Sequence, residues 1–258
     1  MKNFLLFAVL VSLPLHGADL SDLIYATTDG KVTITYCDRG ASGELVIPDT
    51  IEGKSVTSIE LGAFLLCSRL TSITLPDSVT SIKGLTFRSC TSLTSITIGD
   101  SVTSIGGNAF SDCTKLTSIT LPDSVTSIES SAFRGCSSLT GITIPDGVTR
   151  ISLSAFNECS SLTSITLPDS VTSIAQSAFS GCRSLTAITI PDSVISIGGN
   201  AFYDCTSLTS ITIPDSVIVI QGGAFENCTN LSSITFLGDA PTLGQAPFLG
   251  LPEGAIVI

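Results

Sequence analysis

The chain has 258 residues, only 13% of them charged, with 22 acidic against 11 basic side chains and a formal charge of −11. So acidic a surface repels nucleic acid and anionic lipid, which argues against both as partners. The single histidine, His16, lies in a segment that reads as removable, so the mature chain lacks the base that Ser-His and Cys-His catalysis needs. No enzyme and no cofactor is expected.

Met1 to Ala18 reads as a secretory signal peptide. Lys2 supplies the positive start, Phe4 to Leu13 an apolar run of about ten residues, and Gly17-Ala18 small residues for cleavage. The run is too short to cross a bilayer as a helix, and no second apolar segment follows. The mature chain is therefore expected to be soluble, without membrane insertion, and secreted or held at the cell surface. Losing Lys2 and His16 leaves ten basic and 22 acidic residues, a charge of −12. No Lys or Arg follows Arg183.

Residues 19–59 read as an N-terminal cap. Leu23-Ile24-Tyr25 and Lys31 to Tyr36 flank Asp29-Gly30, a hairpin signal. Leu45-Val46-Ile47-Pro48-Asp49 has the form of a strand end, and Thr50 to Lys54 reads as an insertion before Val56-Thr57-Ser58-Ile59. Cys37 stands alone in this cap.

From residue 60 the chain repeats itself. Phe64, Phe87, Phe110, Phe133, Phe156, Phe179, Phe202, Phe225 and Phe248 are each 23 residues apart, and cysteines from Cys67 to Cys228 keep the same interval. A period of this size predicts a solenoid. In the coil from Leu162 to Ser184, the alternation Ser164-Ile165-Thr166-Leu167 predicts a short strand that Pro168-Asp169 ends. Val171 and Ile174 turn back inward. Ala178, Phe179 and Cys182 are spaced for a short 3₁₀ turn on the outer side. One coil cannot bury its apolar face alone, so the strands must stack into a parallel sheet about 4.8 Å apart. The phenylalanine row reads as a core ladder, because no polar partner accompanies it. Ala255-Ile256-Val257-Ile258 ends inside another strand, so the C-terminal cap reads as incomplete. The expected fold is a β-rich solenoid over 60–258, monomeric, closed by a β-hairpin cap.

The pattern L-x-x-I-x-L-P-x-x-V-x-x-I-x-x-x-A-F-x-x-C, seen at Leu116 to Cys136 and at Leu162 to Cys182, resembles the BspA-type bacterial leucine-rich repeat. The resemblance covers residues 45 to about 250. It implies a leucine-rich-repeat horseshoe and a surface or secreted protein that binds a host matrix protein or another cell. The asparagine row of the plant and animal repeats is missing; Asp169-Ser170-Val171 stands in its place.

Four sets of residues are candidates for chemistry. Neighbouring cysteines such as Cys136 and Cys159 stack closely enough for disulfides, but buried cysteine behaves as a small hydrophobe, which favours free thiols. Asp77, Asp100, Asp123, Asp146, Asp169, Asp192 and Asp215 form a second row; calcium is one reading, and hydrogen bonds from each aspartate's own turn the preferred one. Metal binding is not expected without histidine or a C-x-x-C pair. The strand face offers Thr120, Thr143, Thr166, Thr189 and Thr212 to a repetitive ligand such as a glycan or ice. Binding hot spots favour Tyr, Trp and Arg, so Arg134, Arg150, Arg183 and Tyr203 are the expected anchors for a protein or cell-surface ligand. The competing reading is a structural spacer or stalk of a larger envelope protein.

Overall fold

A computed structural model describes residues 17–257. All but the last two residues of the expected leader lie outside the described residues. After a single 3₁₀ turn at Leu20–Asp22, strand β1 (Leu23–Thr28) pairs antiparallel with β2 (Lys31–Cys37). Asp29 (φ 51°) and Gly30 (φ 73°) are both left-handed, as a two-residue primed turn requires. The segment read as an insertion is a second hairpin. Thr50–Ile51 folds back on Lys54–Ile59 around Glu52 (φ 51°) and Gly53 (φ 73°). Ser42–Val46 already pairs in parallel with Arg69–Thr74, so Leu45 belongs to the first rung of the core.

Each coil then contributes to two parallel ladders. The first holds the expected strands, among them Ser95–Thr97, Gly141–Thr143, Ser164–Thr166 and Ser210–Ile213, in register at one coil's offset. Its sheets are interrupted at the coils of Ser118 and Ala187. The second ladder was not legible as a sheet. It is built from two-residue strands: Arg150–Ile151, Ser173–Ile174, Ser196–Ile197, Val219–Ile220 and Thr242–Leu243 form one five-stranded sheet. Each ladder turns one row, mostly Ile, into the core and leaves mostly hydroxyl-bearing or charged residues outside.

The third side carries i→i−3 turns, but as separate turns rather than a continuous 3₁₀ helix. Ala178, Ser180 and Cys182 donate to the carbonyls of Ala175, Ser177 and Phe179 in their own coil at 3.1–3.3 Å. Between them, Ser177, Phe179 and Gly181 donate to Gly199, Ala201 and Tyr203 of the next coil at 2.8–2.9 Å. Ser177 (φ 55°) and Gly181 (φ 76°) are left-handed, which swings those N–H groups along the solenoid axis. Every second amide thus serves the neighbouring coil, where a helix would spend all of them internally.

The eight phenylalanines from Phe64 to Phe225 are fully buried. Together with Phe248 they stack with ring centroids 5.1–5.7 Å apart and planes within 25° of parallel. Offset stacking at that distance is favourable, and burial adds about 1.5–3 kcal/mol per ring.

Polar groups tie the coils where carbonyls would otherwise go unmet. Ser78, Ser124, Ser170, Ser193 and Ser216 donate their Oγ to the valine carbonyl of the preceding coil at 2.6–2.8 Å. This serine row occupies the Pro-Asp-Ser turn, the place of the asparagine row that this sequence lacks. The aspartates beside it do not serve their own turns as expected. They point outward, and the hydrogen bond found runs between coils, from the Asp100 amide to Asp77 Oδ1 at 3.4 Å. Backbone bonds already close the turn, as Val171 N–H to Pro168 O does at 3.1 Å, so the carboxylate has no donor left there.

Candidate binding surface

Thr120, Thr143, Thr166, Thr189 and Thr212 are all exposed on the first ladder, and none makes a side-chain hydrogen bond. Their neighbours two positions before Ile are different. Thr94, Thr117, Thr140 and Thr163 spend their hydroxyls on the preceding coil's threonine carbonyl at 2.9–3.4 Å. Along the exposed row, shallow depressions recur. Thr97, Asp100, Thr120 and Pro122 line one of 250 Å³, and Thr120, Asp123, Thr143 and Pro145 the next, of 270 Å³. A third, of 310 Å³, lies between Thr189, Asp192, Thr212 and Pro214.

The four anchor candidates are not brought together. Arg134, Arg183 and Tyr203 lie on the turn side, and there each is occupied. Arg134 Nε donates to Asn157 Oδ1 at 3.2 Å. Arg183 spans two coils, with ion pairs of 3.3 Å to Glu158 and 2.8 Å to Asp204. Tyr203 is half-buried, and its hydroxyl accepts from Asn227 Nδ2 at 3.2 Å. Exposed ion pairs of the Arg183 kind contribute little stability.

Arg150 lies on the second ladder. It opens the first strand of the five-stranded second-ladder sheet, exposed, with no ion pair and no side-chain hydrogen bond. With Leu153, Ser173, Gln176, Ser196 and Gln221 it lines a depression of 380 Å³. On the same sheet the outward row Thr149, Thr172 changes to Ile195 and Ile218, which are 48% and 60% exposed. Sequence reasoning missed this face. The signal was present as a break in the repeat, Val217-Ile218-Val219-Ile220 where other coils read Val-Thr-Ser-Ile.

All nine cysteines are buried. Burial pushes the Cys113, Cys159 and Cys228 thiols up to about 12, and raises those of Cys136, Cys182 and Cys205 well above the ordinary thiol value. Such thiols are inert as nucleophiles and as metal ligands. Among the described residues no group of three or more His, Cys, Asp or Glu side chains converges on a point where a metal ion could sit. No helix among them is long and apolar enough to cross a membrane.

Two parallel ladders, a stacked aromatic core and a 23-residue register define a β-solenoid repeat protein. A BspA-type leucine-rich repeat model matches residues 44–163 and 150–252 in six copies. The chain belongs to the BspA-type leucine-rich repeat family. Similar solved structures include a leucine-rich repeat protein from Bacteroides ovatus, 32% identical with a TM-score of 0.72, aligned over 89% of this chain and 68% of that one. Another is a leucine-rich cell surface protein from Faecalibacterium prausnitzii, 32% identical with a TM-score of 0.67, over 84% and 69% of the two chains. No curated protein matches the chain.

Proposed function

We propose that this chain is an exported, non-catalytic binding module that takes a cell-surface or matrix protein on its second-ladder face. The observation that carries this reading is Arg150, whose unengaged guanidinium borders the depression beside exposed Leu153. Ile195 and Ile218 extend an apolar surface along the same sheet. Arginine beside apolar side chains is the composition of interface hot spots. Asp215 and Asp239 flank Ile218, and no cation follows Arg183 in the chain. The partner that fits has an apolar centre, a basic edge and one carboxylate for Arg150. The cell-surface description of the Faecalibacterium relative supports display outside the cell.

The test uses residues the repeat itself supplies. Arg150→Ser, Ile195→Thr and Ile218→Thr restore what neighbouring coils carry at those positions (Ser173, Thr172), so the fold is kept. The chain and this triple variant are passed over immobilised matrix proteins and intact cells. Binding by the chain and a tenfold or greater loss in the variant is the expected result. Equal binding by the two would place the site elsewhere, and no binding to any surface would favour a spacer role.

A further inference from the structure

We propose that Cys37 and Cys67 form a disulfide that fastens the N-terminal hairpin to the first coil of the solenoid. The two sulfurs converge on one acceptor: Cys37 Sγ lies 3.6 Å and Cys67 Sγ 3.8 Å from the Asp38 carbonyl oxygen. Cys67 Sγ is also 3.7 Å from the carbonyl of Cys37.

The rest of the cysteine row is arranged differently. From Cys90 to Cys228, each thiol donates to the carbonyl of the phenylalanine 26 residues earlier at 3.0–3.2 Å. Each therefore points at backbone rather than at another sulfur. Cys67 has no such acceptor. The residue 26 positions before it is Ala41, in the link after β2, and the end of β2 delivers Cys37 instead. Backbone bonding fixes the approach, since the Cys37 amide donates to Ala63 O at 2.8 Å. The ninth cysteine, outside the repeat register, thus sits against the first one inside it.

Before the hairpin docks, the thiolate of one cysteine, for example Cys67, attacks one sulfur of a small disulfide such as oxidised glutathione and expels one glutathione thiolate. Cys37 then gives up its proton and attacks Cys67 Sγ, expelling the second. One S–S bond forms in the protein, two electrons reduce the oxidant, and the two protons lost by the cysteines end on the two glutathione thiols. Both sulfurs are fully buried in the folded chain, so the exchange takes place before the hairpin has docked.

The reduced, denatured chain is refolded in a mixture of oxidised and reduced glutathione. It is then blocked with iodoacetamide under denaturing conditions and digested with trypsin without reductant. The proposal expects seven blocked cysteines of nine, and a cross-link joining Val32–Arg39 to Ser55–Arg69, each of which holds one cysteine. Adding reductant should then lower Tm by several degrees, and Cys37→Ala should abolish that dependence. Nine blocked cysteines, or cross-links confined to Cys90 through Cys228, would overturn the proposal. Should Cys37→Ala fail to fold, the peptide map of the unaltered chain decides alone.

Discussion

A Cβ placed on Gly181 would lie 2.7 Å from Cδ of Glu158, one coil earlier. The same relationship holds between Gly135 and Asp112 Oδ1, also at 2.7 Å. At this left-handed position the side chain of one coil leans over a glycine of the next, so carboxylates recur only every second coil. That roughly doubles their separation, to about 10 Å by the coil spacing, and weakens their repulsion. Arg183 then reaches between the Glu158 and Asp204 that the stagger leaves apart. Gly181→Ala places a methyl group there at φ 76°, and the expected cost is about 1–2 kcal/mol in urea unfolding. Gly141→Ser, which restores the serine of other coils on the strand face, should change stability by less than about 0.5 kcal/mol. Equal effects from the two substitutions would show that the close approach has no energetic consequence.

The core and the serine row should separate cleanly by magnitude. Phe156→Ala opens a cavity between two stacked rings and is expected to cost about 3–5 kcal/mol. Ser170→Ala removes one hydroxyl and leaves the Val148 carbonyl unmet, for a cost of about 1–3 kcal/mol. Denaturant midpoints measure both. A serine substitution without effect would mean that water satisfies that carbonyl.

Every contact that defines a coil is made with itself or with its neighbours at one period's offset. Deletion of Leu162 to Ser184 removes one complete period and should leave a shorter folded solenoid with its far-ultraviolet β signal intact. Deleting eleven or twelve residues of the same stretch shifts the register and should unfold the remainder. Loss of signal in the full-period deletion would count against independent stacking.

The thiols predict an alkaline limit. Unfolded cysteines titrate near 9, and burial holds Cys113, Cys159 and Cys228 at about 12. Between those values the native state keeps protons that the unfolded state releases, so stability falls as pH rises. Below the unfolded value the contribution is complete. Each thiol adds a slope of about 1.4 kcal/mol per pH unit across that window. Urea midpoints should therefore be flat below pH ~8.5 and fall steeply above it. The steep part should lessen in Cys159→Val, which keeps the volume and loses the proton.

The exposed threonines provide the remaining discrimination. Lys at Thr120, Thr143, Thr166, Thr189 and Thr212 adds charge to a solvated face without touching core or backbone bonds, so folding should persist. Protein binding should persist too if Arg150, Ile195 and Ile218 form the contact. Loss of binding in the threonine variants alone would move the site to the depressions between Thr120, Asp123 and Thr143.

Period, core and coil order were legible in the sequence because they rest on local chemistry. Phe179 and its copies can only be inside, Ser164 to Leu167 alternates with the period of a strand, and Pro168 must end it. Asp29-Gly30 likewise accepts only the left-handed backbone of a tight hairpin. What the linear pattern did not contain is what one coil does for the next. Ser170 reads as a turn residue, and only stacking brings its hydroxyl to the Val148 carbonyl, 22 residues earlier. Val171 and Ile174 are three apart, which hides a strand whose two residues pair only with the neighbouring coils. Arg134, Arg183 and Tyr203 look like free anchors in the sequence, yet Asn157, Glu158, Asp204 and Asn227 on adjacent coils occupy them. Cys37 had no role until the hairpin's docking set it against Cys67. Side-chain type and local period decide what is buried; which polar group finds a partner depends on a neighbour a whole coil away, and that only the stacked structure supplies.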